Sequence, residues 1–171
     1  MVELDESTSE SWANVETAYQ RRADLIGNLV NTVQGAADYE KSTLTAVIKA
    51  RSAATSIHID PSNITPDQLK KFNKAQGGLS GALKSLLVSV EHYPDLKANQ
   101  NFLRLQDELT STENQILTSR TRFNETIKPF NRYIRKFPNN IFAGWFGFEP
   151  KAYFKSEPGS EKPAQVNFKF N

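Results

Sequence analysis

Large apolar residues recur at Trp12, Tyr19, Ile26, Val33 and Val47, seven or fourteen positions apart, with Val15, Leu29, Ala36 and Ala50 three positions behind. This spacing predicts an α-helix with a heptad, coiled-coil-like seam. A second line, Ala23, Val30, Ala37 and Leu44, widens the stripe and suits a helix buried by more than one neighbour. The helix is expected to open near Asp5 or Ser7, whose side chains can accept from first-turn amides, and to run to about Ile57. Gly27 and Gly35 inside it each cost about 1 kcal/mol relative to alanine, so a break at either is an open alternative.

Residues 56–64 break the pattern and read as a loop. Thr65, Pro66 and Gln68 then read as N-cap, first helical residue and capping-box partner of a second helix. Its seam is Leu69, Phe72, Leu79, Leu83, Leu86, Val90 and Tyr93, and Pro94 ends it. Gly77, Gly78 and Gly81 within it would admit a closely packed backbone. A third helix is predicted from Asn99 as N-cap, with Phe102, Leu109, Ile116, Phe123, Phe130 and Phe137 repeating every seven residues. Pro129 predicts a kink or stop near Lys128. The pattern gives an all-α, antiparallel helical bundle of three long helices plus a short fourth element after Pro129. The bundle domain is expected over residues 1–154. Residues 155–171 read as a disordered tail, although Val166 to Phe170 alternate like a strand.

A chain of 171 residues is most simply one domain with a real core. Its net charge of +2 gives no ground for a nucleic-acid partner. The absence of cysteine excludes disulfides, thiolate catalysis and Cys-ligated zinc. No apolar run approaches the roughly 18–20 residues that cross a bilayer. His58 falls in a loop and His92 at a helix end, neither with a second histidine nearby, so neither is expected to ligate a metal. No phosphate loop, nucleophile elbow or HExxH motif is present. No enzyme activity, metal or cofactor is expected.

Two polar features stand out. Arg22 and Glu40 occupy seam positions about 27 Å apart along one helix, too far to pair with each other. Glu113 and Arg120, seven residues apart on the third helix, are the expected partners, giving a polar core of Arg22, Glu40, Glu113 and Arg120. The second feature is the basic cluster Arg120, Arg122, Lys128, Arg132, Arg135 and Lys136, either a solvated face or a patch for an anionic partner.

Helix lengths point to a third site. A helix continuous to Ile57 is about 75 Å long, whereas the second and third span about 40 and 45 Å. The first half of helix 1 would then lie bare. Trp12, Val15, Tyr19 and Ile26 on it become the expected surface for self-association or a protein partner, with the aromatic segment from Ile141 to Phe154 as the alternative cover.

Gln20 to Val30, Tyr93 to Asn99, Leu105 to Leu109, Thr112 to Asn114, Phe123-Asn124, Phe130-Asn131 and Phe137-Pro138 resemble, in order, the successive motifs of the bacterial LemA family. The resemblance covers roughly residues 1–154 and departs at Gly27, where the family commonly has proline. It implies an all-helical bundle behind a single N-terminal membrane-spanning helix. That anchor would precede Met1, which then marks a truncated start, and the protein would sit at the cell membrane. The family has no established enzymatic activity. The function expected is therefore a membrane-anchored scaffold or protein-interaction module. The alternative is an anionic lipid- or nucleic-acid-binding module using the basic face of the third helix, Arg120, Arg122, Arg132 and Arg135.

Overall fold

The computed structural model describes residues 1–35 and 41–155. They form helices α1 (Val2–Gln34), α2 (Lys41–Thr55), α3 (Pro66–Val90), α4 (Pro94–Lys97), α5 (Gln100–Arg135) and α6 (Asn139–Trp145), with no strand among the described residues. The long first helix expected from the heptads is two helices. α1 runs unbroken through Gly27 and ends at Gln34, with Gly35 as its C-cap. α2 then folds back alongside it, since Arg51 Nε donates to the Ala23 carbonyl at 2.7 Å. A straight helix would hold those residues about 42 Å apart. Ala36, Ala37 and Glu40 lie outside the described residues.

The reversal makes the bundle four-helical, up-down-up-down. α1 and α5 are antiparallel, with Trp12 against Phe123 and Arg22 against Glu113. α3 runs parallel to α1, with Trp12 and Tyr19 on Phe72 and Arg22 reaching Ser80. α2 and α3 form a hairpin joined by Gln76 Nε2 donating to the Ala54 carbonyl. The local stop and start signals act as written. Thr65 and Gln68 form a reciprocal capping box behind Pro66. Asn99 accepts from the amides of Asn101 and Phe102.

Three expectations are corrected. α1 opens at Val2 without a side-chain cap, because Asp5 is engaged with Lys151 instead. Of the kink or stop expected at Pro129, the stop does not occur: α5 continues to Arg135. Pro129 is exposed, so the carbonyl it cannot pair with can turn to water. Gly77, Gly78 and Gly81 face open space and admit no second backbone. The close approach is at Gly27 instead, and it is made by a side chain: a Cβ there would meet the Arg51 guanidinium at 3.2 Å.

The core is stacked in three layers. The first joins Ile26, Leu29 and Val33 of α1 to Val47 of α2, Leu79 and Leu86 of α3 and Leu105 of α5. The second joins Trp12, Val15 and Tyr19 to Phe72, Phe123 and Ile127. α2 is only about 22 Å long and does not reach that level. Ile59 and Ile64 of the loop, with Phe154 of the C-terminal segment, take its place. The third layer closes the end of the bundle with Phe130, Ile134 and Ala143, against which Met1, Leu4 and Phe148 pack.

Candidate functional site

Trp12, Val15, Tyr19 and Ile26 are core residues, not a surface. Trp12 is 1% exposed, Tyr19 7%, and Val15 and Ile26 fully buried. The expectation of a bare stripe rested on an uninterrupted helix from Trp12 to Ile57. With the chain reversed after Gly35, α3 and α5 run the full length of that stripe, and the segment 151–155 closes the remaining side. Phe154 stacks on Trp12 at 5.9 Å with the rings 15° apart, and Phe72 and Phe123 meet the same indole edge-on or tilted.

The strap that delivers Phe154 is held by side chains rather than by regular structure. Asn131 donates from Nδ2 to the Lys151 carbonyl and accepts from the Lys151 amide, both at 2.9 Å. Asn124, seven residues earlier on α5, clasps the Phe154 backbone in the same way at 2.8 and 2.9 Å. The Ala152 amide bonds the Ile64 carbonyl at 2.9 Å. Two asparagines one heptad apart thus supply an extended segment with the pairing that a strand would find in a sheet. Each follows a buried phenylalanine, which fixes its position on the helix. Lys151 anchors the strap's start. Its ammonium, 1% exposed, pairs with Asp5 at 2.5 Å, donates to the Pro61 carbonyl at 2.6 Å and lies 5.1 Å from the Phe130 ring.

The polar core takes a different form from the one expected. Arg22 on α1 pairs with Glu113 on α5 at 2.9 Å. It also donates to Gln76 Oε1 at 2.6 Å and Ser80 Oγ at 3.0 Å on α3, while Gln76 bonds the Ala54 carbonyl on α2. One guanidinium therefore ties the four long helices together. Arg120 is not in this node; it lies 4.7 Å over the Phe154 ring and donates to the Lys155 carbonyl, against the strap. Between node and strap sits Tyr19. Burial pushes its phenol above the ordinary value, against the lowering pull of Arg120 and Arg22. Asp60, at the surface, is held below its ordinary value by the hydroxyl and amide of Ser62, the hydroxyl foremost.

Of the basic residues, Arg122, Lys128, Arg132, Arg135 and Lys136 are exposed along the outer side of α5. This side leads into the end of the bundle, where α6 presents large apolar groups outward. Trp145 is 79% exposed, Phe146 73% and Phe137 81%, with Ile141 and Phe142 about half exposed. α6 is nonetheless firmly built. Gly147, at φ +73°, turns the chain so that its amide and that of Phe148 return to the Gly144 and Ala143 carbonyls, while Phe148 packs on Phe130. Ala143 is the buried contact of its inner side.

His58 and His92 are both exposed, and no group of three or more His, Cys, Asp or Glu among the described residues could hold a metal. An open cleft of about 570 Å³ lies between α1 and the α2–α3 connection, floored by Tyr19, Ile57 and Phe72. Sequence reasoning missed Gln76, Asn124, Asn131 and Lys151. The repeated Phe-Asn pair seven residues apart was the available signal for the two asparagines; for Lys151 there was none.

The sequence model of the LemA family matches residues 11–168. Two magnetosome proteins of Paramagnetospirillum magneticum, MamQ 1 and MamQ 2, are each 27% identical over 95% of this chain and 66% of their own length. Protein LemA of Metamycoplasma hominis is 26% identical over 75% of this chain and 55% of its own. The chain therefore spans just under two thirds of the magnetosome relatives and about half of the mycoplasma one.

Proposed function

The chain belongs to the LemA family, and on that premise we propose that it is a non-catalytic scaffold or protein-interaction module working at the cell membrane, tethered by the anchor its family resemblance implies. The observation that carries the reading is where the buried polar groups go. Arg22, Gln76, Asn131 and Lys151 are each committed to bonds between elements of the bundle. Such bonds fix a rigid body, and what remains to act outward is its surface. The test uses the gene's full product in its own host, separated into membrane and soluble fractions and crosslinked in place. Recovery with membranes and crosslinks that recur to the same protein support the reading. A product found only in the soluble fraction, crosslinked to nothing, overturns it.

A second reading is favoured by the exposure of Arg122, Arg132 and Arg135 beside Lys128 and Lys136: the basic side of α5 meets an anionic partner. Nucleic acid is the weaker form of it, because the net charge is only +2.

A further inference from the structure

We propose that the α6 end of the bundle is a peripheral docking surface for an anionic lipid bilayer, with Phe142, Trp145 and Phe146 entering the headgroup region and Arg132, Arg135 and Lys136 binding the lipid phosphates. The inference deepens the membrane-scaffold reading by naming the end that meets the bilayer.

Scattered exposed apolar residues are ordinary on a protein surface, but a cluster of large ones is not. Here Phe137, Ile141, Phe142, Trp145 and Phe146 fall within ten residues of chain. They do not belong to a loosely attached segment. The glycine-turned cap after Trp145, the Phe148 contact on Phe130 and buried Ala143 fix α6 against α5. Its aromatic groups are therefore held outward by a formed core. Phe142 and Trp145 meet edge-to-face at 6.1 Å, one continuous apolar surface rather than two isolated rings.

Charge decides between occupants. No charged residue lies between Lys136 and Glu149, so the part that would enter a bilayer carries no ionic desolvation cost. Arg132, Arg135 and Lys136, all exposed, stand in the turns immediately before it. A second copy docked through the same surface would gather Arg132, Arg135 and Lys136 of both protomers at one interface, offset only in part by the acidic residues of that end. A surface of lipid phosphates neutralises them. Aromatic side chains at headgroup depth flanked by Arg and Lys are the composition that interfacial segments use. Glu3, Glu6 and Glu149, also exposed at this end, oppose the attraction in part.

The chain has two tryptophans, Trp12 at 1% exposure and Trp145 at 79%. Added vesicles therefore change the emission through Trp145. The experiment mixes the chain with vesicles of phosphatidylcholine, alone or with about 30% phosphatidylglycerol, and reads emission and co-sedimentation. With anionic vesicles the emission shifts to the blue and the protein sediments; Phe142→Ser, Trp145→Ser and Phe146→Ser together lower binding at least about tenfold without loss of helicity. Arg132→Gln, Arg135→Gln and Lys136→Gln together also weaken it, and the remaining binding responds less to added salt. No sedimentation and no shift with anionic vesicles overturns the proposal. So does a Trp145 emission already blue in the free chain, or a dimer that the aromatic variant dissolves, because the surface is then occupied by protein. Among the described residues no helix is long and apolar enough to cross a membrane. Binding by this chain therefore reports the docking end, and its failure would leave the tethered reading to the fractionation test.

Discussion

Arg22 makes bonds to two other helices and, through Gln76, reaches a third, so its partners are not equivalent. Glu113 is about half exposed, and water replaces much of what it gives: Glu113→Gln is expected to cost about 0.5–1 kcal/mol. Gln76 is buried, and Gln76→Leu leaves one guanidinium hydrogen of Arg22 and the Ala54 carbonyl without partners, for about 1–3 kcal/mol. Denaturant midpoints of the two variants check the order. Tyr19 adds a dependence on pH. Its folded value is raised above the ordinary 10.0, so the neutral phenol contributes stability that is fully present below about pH 10 and is lost as pH rises through the folded value. Thermal midpoints between about pH 9 and about pH 12 should fall more steeply for wild type than for Tyr19→Phe. Equal slopes would mean that the phenol is not desolvated.

At the scale of elements, what was legible in the sequence was what is local. Thr65, Pro66 and Gln68 sit within one turn of each other, and Asn99 within three residues of its amide donors, so their chemistry is complete in a short window. The reversal after Gly35 was not legible in that way. The heptad line continues from Val33 to Val47 across it, because both arms of a hairpin face the same core and share one apolar pattern. The strap was the harder case: residues 151–155 have no period of their own and depend on asparagines some twenty to thirty positions earlier. That dependence can be measured. Asn131→Ala removes two bonds to buried backbone and should cost about 2–3 kcal/mol. Phe154→Ala should cost about 3–5 kcal/mol, since it opens the aromatic cluster beside Trp12. Amide exchange at Lys151 and Phe154 should rise in Asn131→Ala before that of α5 does. Simultaneous loss of protection in both would show that the strap and the bundle unfold as one unit.

For the molecule as a whole, reading the polar core from sequence succeeded only for Arg22 and Glu113. Their pairing follows from the antiparallel register of α1 and α5, which the heptads carry. Arg120 was misplaced because its partner is the strap, and Glu40 lies outside the described residues. The exposed end at α6 was invisible to pattern because an aromatic segment reads equally well as core or as surface. The apolar stripe of α1 was assigned to a partner for another reason, the expected unbroken first helix; with the chain reversed after Gly35 the molecule covers that stripe and presents α6 instead. The two tryptophans report the two halves of this exchange. The decisive measurement is acrylamide quenching of Trp145→Phe and Trp12→Phe in dilute solution, with sedimentation velocity giving the mass of each. The expected result is a monomer in which Trp12, the tryptophan left in Trp145→Phe, emits in the blue and resists quenching, while Trp145, left in Trp12→Phe, emits in the red and is quenched freely. A monomer with Trp12 readily quenched, or Trp12 protected only in a dimer, would contradict it.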